Sequence, residues 1–123
     1  MIFKALIVDD DYINRRLLVS LLKKELYQVE ILEAVNGIDA LDVCKNETDI
    51  HLILLDVEMP NMDGAEFLKH YIHNKSLPKV PIIAVSSNDL RTKEILSLGA
   101  DAFLMKPVTE EKLLDAIRKS QIA

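Results

Sequence analysis

Four stretches of the chain are apolar almost without interruption: Ala5 to Val8, Leu52 to Leu55, Val80 to Val85 and Ala102 to Met105. Short runs of this kind predict strands; Leu52 to Leu55 reads as one covered on both faces, the habit of strands inside parallel sheets, and Ala5 to Val8 as a buried strand. Pro81 falls near the start of its run, where a strand tolerates one. A fifth stretch, Gln28 to Leu32, alternates polar with apolar and predicts a half-buried edge strand. Between the strands the period turns helical. Ile13, Leu17, Leu18, Leu21 and Leu22 predict the buried face of a helix that Asp11 caps and that runs to about Leu26, with Arg15, Arg16, Lys23 and Lys24 on its wet side. Asn36-Gly37 makes a turn, after which Ile38, Leu41 and Val43 give the inner face of a second helix ending near Asn46. Phe67, Leu68, Tyr71 and Ile72 line a third, which stops before Lys75. Leu90 to Leu98 is a shorter helix closed by Gly99 at C′. Thr109 caps the last helix: Glu110 and Glu111 suit its positive end, Val108 packs on Leu113 as a staple, and Leu113, Leu114 and Ile117 face inward.

Strand then helix, five times over with short connections, predicts an α/β domain. Each crossover is right-handed and returns to the same sheet, so the sheet is parallel and carries helices on both faces. The chain shows no internal repeat, linker or low-complexity segment, and its 123 residues fit one domain. Such a domain buries roughly 60–70% of the surface its unfolded chain exposes, enough for a true core.

Composition narrows the function. Half the residues are hydrophobic and 28% charged, the balance of a soluble globular protein. With 15 basic and 20 acidic residues the net charge is −5, and no basic run occurs, which disfavours nucleic acid or an anionic membrane as a direct partner. Cys44 is the sole cysteine, so no internal disulfide forms; it reads as a small buried hydrophobe on a helix. The apolar start, Met1 to Val8, is too short for a signal peptide, and no stretch approaches the ~20 apolar residues of a membrane span. These features predict a cytoplasmic protein.

Parallel strands place all their carboxyl ends on one edge, where open α/β sheets bind ligands. That edge gathers Asp9 and Asp10 from the first strand, Asp56 from the third, Ser86 from the fourth and Lys106 from the fifth, under a loop stiffened by Pro60 and Gly64. Carboxylates crowded together repel one another and raise their pKa values or require a cation. Oxygen ligands with room for water suit Mg²⁺. Lys106 adds a point charge for a phosphoryl oxygen and Ser86 a hydroxyl donor. These are the parts of an in-line phosphoryl transfer, whose catalysis is mostly positioning and charge stabilisation.

The motifs Ala5 to Asp11, Ala34 to Gly37, Asp56 to Gly64, Val85-Ser86, Gly99 to Phe103 and Lys106-Pro107 together resemble the receiver domain of two-component response regulators, over the whole chain. The resemblance implies that residues 1–123 form one receiver domain, a flavodoxin-like, doubly wound five-stranded parallel sheet of order 2-1-3-4-5 with five helices. It implies that Asp56 is phosphorylated by a histidine kinase or a histidine phosphotransfer protein. Asp10, Asp56 and the main-chain carbonyl of Glu58 would bind Mg²⁺ directly, and Asp9 through water. Lys106 would pair with Asp56 and then with the phosphoryl group. Ser86 would bond a phosphoryl oxygen, Phe103 would turn inward behind it, and the surface of the fourth helix, fifth strand and fifth helix would meet a protein output partner. Glu58 and Asn88 stand where the family tunes loss of the phosphoryl group to water, and Ser86 replaces the more frequent threonine. Lys106-Pro107 would be cis. The module would catalyse its own phosphorylation and dephosphorylation, without being an enzyme on another substrate.

Other features carry less. His70 and His73, three apart on the third helix, lack a ligand partner and read as solvated; His51 opens the central strand away from the site edge. Met59, Met62 and Met105 read as packing, and Arg15-Arg16 as a solvated helix face. Two rivals stay open. A small haloacid-dehalogenase-type phosphatase would use Asp9 as nucleophile, but after Asp11 the chain continues Tyr12-Ile-Asn without the Thr/Val and Gly such enzymes use. A pseudo-receiver would bind partners without phosphorylation. The cognate kinase, the output partner, the phosphate lifetime, the oligomeric state, and whether the chain stands alone or belongs to a hybrid kinase or transcription factor are not written in the sequence.

Overall fold

The computed structural model describes residues 2–26, 28–47 and 49–121, so the Ile122-Ala123 end lies outside the described residues. Strands and helices alternate: β1 (Phe3–Val8), α1 (Tyr12–Glu25), β2 (Val29–Ala34), α2 (Gly37–Asn46), β3 (Leu52–Asp56), α3 (Gly64–His73), β4 (Ile82–Ser86), α4 (Thr92–Ser97), β5 (Ala102–Met105) and α5 (Glu110–Gln121). All strand pairs are parallel, in the order β2-β1-β3-β4-β5, the flavodoxin-like sheet the resemblance implies. Lys106-Pro107 is cis.

Side chains alternate across the sheet and feed two cores. On one face Leu6, Val8, Ile53, Leu55, Ile82 and Ala84 meet α2, α3 and α4 through Cys44, Phe67, Leu68, Tyr71 and Ile95. On the other, Ala5, Ile7, Leu52, Leu54, Ile83 and Val85 meet α1 and α5 through Leu18, Val19, Leu22, Leu113, Ala116 and Ile117. β3 and β4 are buried throughout, as unbroken apolar runs predict, and β2 at the edge is only partly so. No helix among the described residues is long and apolar enough to cross a membrane.

Helix faces depart from the sequence reading at several points. Ile13 is 71% exposed and Leu17 47%, while the unforeseen Val19 is buried. Ile38 on α2 is exposed too, and Ala40 and Cys44 carry the buried stripe there. Ile72 is half exposed, and the part that is covered packs on Gly99, which has no side chain to bury it further. The fourth helix is shorter than Leu90 to Leu98. Asn88 caps a 3-10 turn at Asp89–Arg91, which leaves Leu90 88% exposed and postpones the α-helix to Thr92. Gly99 sits at φ +114° after that helix, as a C′ residue should. Val108 and Leu113 lie in one core, and the Thr109 hydroxyl accepts from the Lys112 N–H at 3.2 Å, in keeping with the predicted cap and staple.

The loop that leaves β3 is folded back on itself. The Gly64 N–H donates to the Val57 carbonyl at 2.8 Å, Asn61 takes the left-handed conformation that asparagine tolerates, and the Met62 carbonyl accepts from the Gly37 N–H at 3.0 Å. A Cβ on Gly64 would stand 2.8 Å from Val57 Cα and 2.9 Å from the Asp56 carbonyl oxygen, both rigid main chain. Gly64→Ala should therefore destabilise the fold by about 1–3 kcal/mol in urea denaturation. A neutral result would mean that the loop after Asp56 yields easily.

Candidate functional site

Neighbouring strands set the first contact of the site. β1 and β3 pair with Val8 opposite Leu55, so Asp9 and Asp56 leave the sheet side by side. Asp9 is 1% exposed and Asp56 4%. Exposed Asp10 completes a trio whose nearest carboxylate oxygens all lie within 4.8 Å of one another. Asp9 is fixed at both ends: its N–H donates to the Ala34 carbonyl at 3.0 Å, and its Oδ1 accepts from the Asp11 N–H at 2.8 Å. Asp11 in turn caps α1 through the Ile13 N–H at 2.8 Å.

Positive charge arrives from β5. The Lys106 N–H donates to the Ser86 carbonyl at 2.9 Å, and from that anchor its ammonium reaches Asp56 Oδ1 at 3.0 Å and Asp9 Oδ2 at 3.9 Å. The compensation is incomplete, since among the described residues neither Asp9 Oδ2 nor Asp56 Oδ1 receives a well-directed hydrogen bond. Burial pushes the Asp56 carboxyl up to about 7, the Lys106 contact opposes it, and the charges of Asp9 and Glu58 add to the rise. Asp9 is raised by burial as well, against the Asp11 N–H and Lys106. For Lys106 burial alone would lower the pKa; the bond and charge of Asp56, with Asp9 and Glu58, reverse that and leave it raised.

Ser86 is wholly buried at the end of β4. Its hydroxyl donates to Glu58 Oε1 at 2.6 Å and accepts from the Asn88 N–H at 2.9 Å. Asn88 meets the site through this main-chain N–H, while its side-chain oxygen accepts from the Leu90 N–H at 3.0 Å. Half-buried Phe103 stands opposite Ala84 in the β4–β5 register, on the sheet face that Ala84 shares with Ser86. Asp9, Asp10, Asp56, Ser86 and Lys106 thus lie at one sheet edge with Glu58 and Asn88 beside them, and Phe103 stands two strand positions further in.

Sequence reading missed Arg91, whose guanidinium meets Glu94 Oε1 at 3.0 Å, Asp63 Oδ2 at 3.6 Å and Glu58 Oε2 at 3.8 Å. Nothing in its spacing announces contact with a loop some thirty positions earlier. It also missed a cavity of about 290 Å³ between α1 and the end of β5, lined by Asp9, Asn14, Leu17, Lys106, Pro107 and Val108. The exposed Tyr12, Ile13 and Leu17 of α1 are its neighbours along the helix. A larger, open groove of about 810 Å³ lies between the ends of α2 and α3, lined by Lys45, Lys69, His70 and His73, where Lys45 offsets the negative end of α2. Both histidines are exposed, as the sequence implies. Arg15 and Arg16 are not free: both pair with Glu33, and Arg15 also holds the Asp9 carbonyl at 2.8 Å.

An ionised Asp56 thus works against folding. Raised from 3.8 to about 7, it contributes stability that is complete below the unfolded value and lost as pH climbs through 7. In EDTA at pH 8, Asp56→Asn should be more stable than the wild type by about 2–4 kcal/mol, a gap that closes toward pH 5. Urea titrations at the two pH values check this, and an equal or lower stability of the variant at pH 8 would contradict the sign.

Comparison with known proteins agrees with this geometry. Residues 5–118 match the family model described as response regulator receiver domain. Sporulation initiation phosphotransferase F of Bacillus subtilis is 37% identical over 117 residues, which cover 94% of this chain and 91% of that protein. The rice two-component response regulator ORR7 is 32% identical over 103 residues, of which this chain spans only 48% of the length. A chain of the CheX–CheY–BeF3–Mg²⁺ complex from Borrelia burgdorferi superimposes with a TM-score of 0.88 at 27% identity, over 98% of this chain and 90% of its own. With its match over nearly the full sequence and the acidic trio at the carboxyl edge of a 2-1-3-4-5 sheet, the chain belongs to the response regulator receiver domain family of two-component signalling.

Proposed function

We propose that residues 1–123 act as one receiver domain in which Asp56 accepts a phosphoryl group from a phosphohistidine donor, a histidine kinase or histidine phosphotransfer protein of the cytoplasm. One observation carries the reading: a buried carboxylate whose Oδ1 lies 3.0 Å from Lys106 and lacks an aligned hydrogen-bond donor, beside two further acids. An ionised Asp56 oxygen attacks phosphorus, the P–N bond of the donor breaks, and its electron pair returns to the imidazole. Lys106 offsets charge on the phosphoryl oxygens, and Ser86 supplies a hydroxyl to one of them.

The donor set fits a divalent cation. Three carboxylates, two of them buried with an orphaned oxygen, need more positive charge than one lysine brings. Asp10 and Asp56, with the Glu58 carbonyl, would hold Mg²⁺ directly and Asp9 through water. When bound, the ion neutralises charge shared by Asp56 and the phosphoryl oxygens.

The same reading places partners. The donor meets the edge where exposed Ile13 and Leu17 flank the apolar cavity beside Lys106 and Pro107. The output partner meets the α4–β5–α5 face, which Ser86 and Phe103 reach through β4 and β5. Glu58 and Asn88 set the lifetime of the acyl phosphate from beside it.

Intact mass after incubation with acetyl phosphate and Mg²⁺ tests the acceptor. A single phosphoryl adduct is expected, lost with EDTA or in Asp56→Asn and retained in Asp9→Asn at a reduced rate. Steady hydrolysis of acetyl phosphate that requires Asp9 and survives Asp56→Asn would instead favour the phosphatase. Ser86→Ala should still form the adduct while the amide NMR shifts of α4 and Phe103 on phosphorylation shrink; a full-sized response would sever Ser86 from the switch.

A further inference from the structure

A hydroxyl has one proton to give, and the acceptors within reach of Ser86 lie away from Asp56. Fully buried Ser86 places its hydroxyl 2.6 Å from Glu58 Oε1, the short contact, and 3.3 Å from the Asn88 carbonyl, and among the described residues this hydroxyl makes no hydrogen bond to Asp56 or Lys106. A carboxylate acceptor makes this bond roughly twice as strong as one to a neutral group. Glu58 is itself restrained, for its second oxygen faces Arg91 Nη1 at 3.8 Å. Arg91 is tied to the Asp63 carboxylate, whose other oxygen caps α3 through the Glu66 N–H at 3.0 Å, and to Glu94 on α4. The contacts close a ring. Ser86 accepts from the Asn88 N–H, Asn88 caps the 3-10 turn that carries Arg91, Arg91 faces Glu58, and Glu58 accepts from Ser86.

Resting on the phosphoryl-acceptor reading above, we infer that Glu58, positioned by Arg91, is the anchor that holds the Ser86 hydroxyl away from Asp56 until a phosphoryl group competes for it. The acyl phosphate gives Ser86 a better acceptor and sets a second anion beside Glu58, so the same event pulls the hydroxyl and repels its anchor. Once Ser86 turns, the Asn88 N–H loses its acceptor and the turn that starts α4 is released. Glu58 and Arg91 are positioning residues here: they act through Ser86 and raise the threshold for the change at α4.

Titration of the intact chain with beryllium fluoride and Mg²⁺, read by the amide NMR shifts of Phe103 and α4, tests the anchor. Glu58→Ala should lower the half-saturating fluoride concentration about tenfold, from loss of one charged hydrogen bond. Glu58→Gln keeps an acceptor and should fall between. Simple removal of an anion from an anionic site would also tighten binding, so the factor must collapse to about twofold or less when Glu58→Ala is made in Ser86→Ala. An equal factor in both backgrounds overturns the anchor and leaves a field effect. Arg91→Ala separates the two by sign: loss of a cation alone weakens anion binding, whereas release of Glu58 tightens it, by about threefold. Weaker binding in Arg91→Ala overturns the proposal. A wild type that responds while these variants match it defeats the anchor alone. A wild type without response, or one matched by Asp56→Asn, defeats the acceptor reading and the anchor with it.

Discussion

Everything at the carboxyl edge depends on an unfavourable contact, that of Asp56 with Asp9 at the dry end of two paired strands. The β1–β3 register leaves neither carboxylate an escape: both follow fully buried apolar runs, and the chain turns away only after them. One lysine, reaching in from β5, meets both. It neutralises the pair only in part: burial pushes the Asp56 carboxyl up to about 7 against the lysine, and the Asp9 charge adds to the rise. A protein selected for stability alone would replace one of these acids. Keeping them costs folding free energy and gives a place where an added cation or phosphoryl group changes the balance strongly.

Placing a charge there requires precise main chain more than precise side chains. Asp56 can be presented only if the loop behind it returns quickly, and Gly64 lets the Val57 main chain approach within contact distance. Met62 extends that loop onto Gly37 at the start of α2, so the acceptor loop is braced against a helix from the other side of β1. Lys106 is placed by its own N–H on Ser86, which ties the position of the positive charge to the strand that carries the switch hydroxyl.

The division between strand and loop also decides what the sequence discloses. Strands buried on both faces are written as unbroken apolar runs, and once the sheet is parallel its carboxyl ends must converge; Asp9, Asp10, Asp56, Ser86 and Lys106 follow from that without coordinates. Helix faces are less legible. α1 carries Tyr12, Ile13, Leu17, Leu18, Val19, Leu21 and Leu22, apolar over more than one stripe, and the helical period alone does not choose Val19 over Ile13 for the buried side. The Asn88 cap that turns the start of the fourth helix into a 3-10 turn depends on a side-chain conformation, not on hydrophobic period. Contacts between loops are the least legible of all. Ser86, Glu58 and Arg91 meet because two turns face each other across the sheet edge, and no periodicity links residues 28 or 33 positions apart.

A switch of this kind needs two states of nearly equal free energy, and a ligand shifts them only by what it gains in one over the other. Phosphorylation turns a singly charged carboxylate into a group nearer two charges with three acceptor oxygens. Lys106 already pairs with the carboxylate, so its differential gain is small. On the reading proposed above, the larger change would fall on Ser86, whose hydroxyl lies 2.6 Å from Glu58 Oε1 and 3.3 Å from the Asn88 carbonyl. On that reading the charged acceptor already in place defines the resting state, and the acyl phosphate would have to displace a hydrogen bond before β4, Phe103 and α4 responded.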